Sequence, residues 1–165
     1  MDDKKLQAPP LSLLDRYRGR DFHPLYTTTV TVSGGETGHG RASGVARSDD
    51  GNLVVELRLP TEFGGPGNGT NPEQLFAAGY AACFEGAVRF VAREKKVALK
   101  EASVTAHVGI GPRKPTGFGI AVKLGVSLPG IDRAVAQELV DTAHRDICPY
   151  SHATRNNVDV EISLV

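Results

Sequence analysis

Alternation of β-branched or aromatic residues with polar ones begins at Tyr26, where YTTTVTVS predicts a half-buried strand over Tyr26–Ser33. GGETGHG then makes a turn. RASGVAR, Arg41–Arg47, and LVVELRL, Leu53–Leu59, predict two more strands joined through Asp49, Asp50, Gly51 and Asn52, so the first third of the chain is expected to be an antiparallel meander. The Gly/Pro/Asn-rich run PTEFGGPGNGTNP cannot be regular structure and ends in a helix start signal: Asn71 suits the N-cap, Pro72 the first helical position, and Gln74 completes a capping box. A helix should run from there to about Lys96. Its inner face is expected to carry Leu75, Ala78, Gly79, Ala82, Cys83, Gly86, Ala87 and Phe90, at three-and-four spacing and nearly all small.

Beyond it, KEASVTAHVGIG and FGIAVKLGVSL predict a hairpin around GPRKPTG. IDRAVAQELVDTAHR has helical periodicity after the Pro129–Gly130 break, and NVDVEISLV alternates as a last strand. The order βββαββαβ indicates an α+β fold rather than a doubly wound sheet. Residues 1–25 mix charge, Pro9 and Pro10 with a short apolar run, as an N-terminal arm would, which leaves 26–165 as a single domain.

Charge changes the picture by exclusion. Lys plus Arg and Asp plus Glu number 19 each, so nothing draws the chain to nucleic acid or an anionic membrane. The N-terminus has no apolar leader and no stretch approaches a membrane span, so a soluble, cytoplasmic protein is expected. Two cysteines are too few for a disulfide-stapled scaffold, and the ordinary reading of each is a small buried hydrophobe.

Cys83 lies about 18 Å from the start of its helix, beyond the reach of the helix dipole. A reactive thiolate there needs a cation, because burial alone raises a thiol pKa. Arg41 follows the glycine-rich turn and could be aimed inwards, whereas Arg89 and Arg93 fall at positions expected to face solvent; spacing does not choose among them. Cys148 precedes Pro149, which biases it towards extended geometry and hence accessibility. Whether the two cysteines meet is a tertiary question. A rival reading takes His144, Cys148 and His152 as metal ligands at i, i+4, i+8, but Pro149 interrupts that helix and a closed zinc site needs a fourth ligand. GGPGNGTNP lacks the Lys-Ser/Thr of a phosphate loop, and Ser151 and His152 form no nucleophile elbow and read as loop residues.

TNPEQLFAAGYAACFEGAVRFVA and AHRDICPYSHATRNNVDV closely resemble the signature segments of the organic hydroperoxide resistance branch of the OsmC/Ohr family, and the likeness runs from about Tyr26 to Val165. The resemblance implies an OsmC-like α+β fold, an intertwined homodimer and a thiol-dependent peroxidase acting on organic hydroperoxides without a cofactor or metal. By the same match Cys83 is the peroxidatic residue, Cys148 resolves it as a disulfide, and Arg41 and Glu73 form a polar network around the reactive sulfur. The reductant it implies is a dithiol, a lipoyl group on a partner enzyme. Phe63, Leu75, Phe76 and Phe118 could line the site for a hydrophobic substrate tail. The broader OsmC branch, with another peroxide preference, and a non-catalytic redox-sensing or small-molecule-binding member are the alternatives.

Glu73 and Cys83 stand about 15 Å apart along one predicted helix, too far to share one arginine. Either two chains share the site or Glu73 belongs to an irregular turn before the helix. Three departures from the family pattern stand out: AHRDICPYS carries one residue more than usual before its cysteine, which would shift Cys148; Asn156 stands where glycine is common; and the arm is long.

Overall fold

The computed structural model describes residues 6–165 and contains two three-stranded sheets. The first five residues of the arm lie outside the described residues; the rest of it holds one short helical turn, α1 (Ser12–Asp15). In the first sheet β1 (Val30–Ser33), β2 (Val45–Ser48) and β3 (Val54–Glu56) pair antiparallel in sequence order. The meander is therefore present, but its strands are shorter than predicted. Tyr26–Thr29 stay outside it, and residues Gly40–Ser43 turn as a short helix, α2, instead of starting a strand. The cause is the preceding loop. Gly35 has φ 61 and a Cβ there would meet the Ser43 carbonyl, while the Ser43 hydroxyl donates to the Gly34 carbonyl at 2.7 Å and accepts from the Thr37 N–H at 2.9 Å.

α3 (Pro72–Glu94) is capped as the sequence dictates: the Asn71 side chain accepts from the Gln74 N–H at 2.9 Å, and the Gln74 side chain accepts from the Asn71 N–H at 3.2 Å. By length and composition this helix could cross a membrane, contrary to the expectation that no stretch comes close. It is instead the central core helix. β4 (Ser103–Pro112) pairs antiparallel with β5 (Phe118–Ser127), which pairs parallel with β6 (Asp159–Leu164). Against one face of this second sheet lie Tyr80, Phe84, Val88 and Val91 of α3, with Leu139 and Val140 of α4 (Arg133–Thr142). Val122, Leu124 and Val126 of β5 complete the core.

The buried stripe of α3 is not the small-residue one. Tyr80, Phe84, Val88 and Val91 recur at four and three residues and are fully buried, whereas Ala78, Ala82 and Gly86 face outwards. Two apolar stripes share this helix, and the one with more apolar area per residue takes the core, each large side chain contributing about 1.5–3 kcal/mol on full burial. The first sheet lacks such cover: Val30, Val32 and Val54 remain 44%, 51% and 51% exposed.

After α4 the chain continues as a π-helical turn, Ala143–Ile147, and then as α5 (Pro149–Thr154), a helix that sequence periodicity did not reveal. Pro149 occupies its first position, where a missing N–H costs nothing.

Candidate active site

Cys83 and Cys148, 65 positions apart in sequence, bring their sulfurs to 3.5 Å with both thiols free. α3 supplies the first at mid-helix. The second sits at the junction of the π turn and α5, where the Cys148 N–H donates to the Ala143 carbonyl at 2.8 Å, five residues back. A π turn takes up one residue without unwinding the helix, and such turns recur at functional sites. Asn156 is accommodated at φ 61, a left-handed conformation that asparagine tolerates.

Cys148 has the extended backbone that Pro149 dictates, φ −72 and ψ 115, yet its side chain is fully buried, contrary to the expected accessibility. The bend between the π turn and α5 directs the sulfur under α3 rather than to solvent. Cys83 is half-buried and opens on a largely apolar cavity of about 540 Å³ lined by Phe90, Val97, Leu99, Ile147 and Pro149. Ala8 and Pro9 of the arm border this cavity, with the Arg93 Nη1 donating to the Pro9 carbonyl at 2.7 Å. Arg89, expected in solvent, also lines it but is engaged by Glu85.

The two thiols share a proton. The Cys83 S–H, donated to the other sulfur, holds Cys148 down to about 6; the Ser151 amide and hydroxyl and the Tyr150 amide, which face the sulfur without forming a full capping bond, act in the same direction against burial. For the same reason, with burial adding to it, Cys83 is pushed well above the ordinary thiol range. No cation among the described residues draws charge onto Cys83. Within one chain the groups facing Cys148 favour placing the negative charge there rather than on Cys83.

Behind Cys148 lies a buried polar cluster. Ser151, fully buried rather than a loop residue, is 3.1 Å from the Tyr80 hydroxyl and 2.9 Å from His144 Nδ1. The Tyr80 hydroxyl is 3.2 Å from Thr154 Oγ1, whose own proton goes to the Tyr150 carbonyl at 2.8 Å. Gly79 lets the Tyr150 ring cross α3, since a Cβ there would come within 2.9 Å of the Tyr150 hydroxyl. Single-residue patterns gave no sign of this cluster, because Ser151 and Thr154 are buried only through the unpredicted α5.

Arg41 and Glu73 also meet, but elsewhere. Arg41 Nη1 donates to both Glu73 carboxylate oxygens, at 3.0 and 2.9 Å, in a pair that is 29% and 14% exposed. Glu73 is in the first turn of α3, which removes the irregular-turn alternative and leaves it about 15 Å along the helix from Cys83. Among the described residues the remaining Arg41 N–H groups have no acceptor. Phe76 and Phe118 line an open cavity of about 830 Å³ with this pair, and Phe63 joins Phe118 and Arg41 in a smaller one of about 250 Å³. The apolar residues singled out from sequence thus gather round Arg41 rather than Cys83, except Leu75, which borders none of these cavities. His144, Cys148 and His152 do not form a metal site: no group of three His, Cys, Asp or Glu among the described residues could hold an ion.

The sequence pattern of OsmC-like proteins matches residues 65–163. The organic hydroperoxide resistance protein of Xanthomonas axonopodis pv. citri is 51% identical over 142 residues, which are 85% of this chain and 94% of that protein. The organic hydroperoxide resistance protein OhrB of Bacillus subtilis is 45% identical over 141 residues, 85% of this chain and 98% of that one. Its crystal structure superposes with a TM-score of 0.75 over 86% of this chain and 100% of that chain. The crystal structure of an organic hydroperoxide resistance protein from Elizabethkingia anophelis gives 0.79, with 41% identity, over 87% and 98% of the two chains.

Proposed function

The chain belongs to the OsmC-like family and sits with its organic hydroperoxide resistance members, and from the 3.5 Å approach of its two thiols we propose that it is a cytoplasmic thiol peroxidase reducing organic hydroperoxides to alcohols. The Cys83 thiolate attacks the peroxide oxygen farther from the organic group. The O–O bond breaks, the organic oxygen takes a proton and leaves as an alcohol, and Cys83 becomes a sulfenic acid. Cys148 then attacks the Cys83 sulfur, the S–O bond breaks, and a disulfide and one water result. A dithiol, for which a lipoyl group is the candidate, reopens the disulfide by exchange and is itself oxidised.

Cys83 is the nucleophile only when a cation brings the shared charge onto it, and its own chain supports the charge on Cys148 instead. Arg41 of a second copy supplies that cation, held in aim by Glu73, and steadies the charge that develops on the departing oxygen. Three features support a homodimer that completes each site. The small stripe of Ala78, Ala82 and Gly86 is open to close packing, the first sheet leaves Val30, Val32 and Val54 uncovered, and Arg41 retains N–H groups without acceptors among the described residues. Phe63, Phe76 and Phe118 travel with Arg41 and would then meet the organic tail of the substrate.

The test supplies tert-butyl or cumene hydroperoxide with dihydrolipoamide to wild type and to Cys83→Ser. Alcohol production by the wild type alone supports the reading. Equal rates overturn it, and a disulfide formed without turnover would mark a redox sensor instead.

A further inference from the structure

Resting on this peroxidase reading, we propose that Tyr80 is a positioning residue for the resolving step: its hydroxyl ties α5 to α3 and so holds the Cys148 sulfur within reach of Cys83. Tyr80 and Cys83 stand three residues apart on α3, neighbours on the helix surface. Cys148 caps α5, in which Ser151 and Thr154 follow. The Tyr80 hydroxyl is 3.1 Å from Ser151 Oγ and 3.2 Å from Thr154 Oγ1, and all three residues are buried. Among the described residues these are the only hydrogen bonds between side chains of α3 and α5.

The hydroxyl serves no other purpose in the cluster. The Tyr80 ring already fills the core, packed against Phe76, Phe84 and Tyr150 with centroids 6.1, 6.5 and 5.7 Å away, and a phenylalanine would fill the same space. Ser151 keeps His144 Nδ1 at 2.9 Å as a partner, and Thr154 donates to the Tyr150 carbonyl at 2.8 Å. Neither is therefore orphaned when the Tyr80 oxygen is removed, and what is lost is the link itself.

The junction needs such a link. With 6 residues, α5 is too short to hold its place by its own helicity. Cys148 makes no side-chain cap bond, and Pro149 brings no N–H to the first turn. In closure the Cys148 thiolate attacks the Cys83 sulfur of the sulfenic acid and the S–O bond breaks. The departing hydroxide takes up the proton that the Cys148 thiol has released, leaving a disulfide and one water. The sulfurs start 3.5 Å apart and end at about 2 Å. A fixed α5 keeps that short approach always available, whereas a loose one reaches it only part of the time.

Full-length wild type, Tyr80→Phe and Asn71→Ala receive one equivalent of cumene hydroperoxide at several pH values, and trapped sulfenic acid and disulfide are counted by mass spectrometry. In Tyr80→Phe the conversion of Cys83 sulfenic acid to disulfide should slow by about 10-fold, the upper end of what one hydrogen bond of ordinary net strength holds. The loss should persist on the alkaline plateau, where Cys148 is ionised in every protein. A pH profile that shifts its midpoint with the plateau intact overturns positioning in favour of an electrostatic role. Asn71→Ala, which weakens the far end of α3, should close at the wild-type rate; equal slowing there makes general stability the cause and overturns the tether, as does equal slowing of both steps in Tyr80→Phe. Equilibration with oxidised and reduced dithiothreitol needs no peroxide and reads the same geometry: the disulfide should be about 10-fold less favoured in Tyr80→Phe. A wild-type value for that equilibrium also overturns the tether. A wild type that forms no sulfenic acid overturns the peroxidase reading instead, and the dithiothreitol equilibrium then still decides the role of Tyr80.

Discussion

Replacing Cys83 by alanine should return Cys148 most of the way to an ordinary thiol. Cys148 is held down to about 6, against an ordinary 9.0, and the largest cause is the S–H of Cys83, 3.5 Å away. A group at about 6 is roughly nine-tenths ionised at neutral pH, whereas one at 9.0 is about one-hundredth ionised. With the donor gone, the Tyr150 and Ser151 amides and the Ser151 hydroxyl remain against burial, and the thiolate becomes a minor species at neutral pH. Thiolate absorbance in the ultraviolet measures this directly, in a protein with no tryptophan to obscure it.

Stability gives a second reading of the same coupling. Because folding lowers the Cys148 pKa, its contribution is present above 9.0 and is lost as pH falls through about 6. Folding raises the Cys83 pKa, so the protein is weakened as pH rises past 9.0. The reduced wild type should therefore gain stability from about pH 6 to 9 and lose it beyond, and Cys83→Ala should flatten the rise. Identical titration midpoints in the two proteins would refute the shared proton.

Co-expression of Cys83→Ser with Arg41→Ala, each expected to be inactive alone, should restore up to about a quarter of wild-type activity through mixed dimers in random pairing; no recovery would place Arg41 and Cys83 of one chain in the same site. Asn71→Ala removes the side-chain acceptor at the start of α3 and should lower stability by about 1 kcal/mol in a denaturant titration. Asn156→Ala should cost about 1–2 kcal/mol because of its left-handed backbone, whereas Asn156→Gly should not; thermal melting distinguishes them.

The order of the six strands and the two long helices was legible in the sequence because alternation, turn residues and the Asn71–Gln74 cap each act locally. What local pattern does not encode depends on tertiary competition. The small-residue stripe of α3 looked like a core face until Tyr80, Phe84, Val88 and Val91 occupied the core. Arg41 looked like the opening of a strand because the closure of its loop on Ser43 rests on side-chain bonds that a strand pattern does not encode. Ser151 reads as a loop residue in the sequence because α5 is only 6 residues long, too short for periodicity to register. The cysteines and the Arg41–Glu73 pair were identified by resemblance, and neither composition nor spacing would have united residues 65 and 32 positions apart.

The most direct measurement of the central claim is peptide mapping by mass spectrometry after one equivalent of cumene hydroperoxide, with the alcohol product quantified alongside. The account expects a Cys83–Cys148 disulfide and one alcohol for each disulfide formed. Two unmodified thiols beside unconsumed peroxide, or a lasting Cys83 sulfenic acid with Cys148 still free, would contradict it.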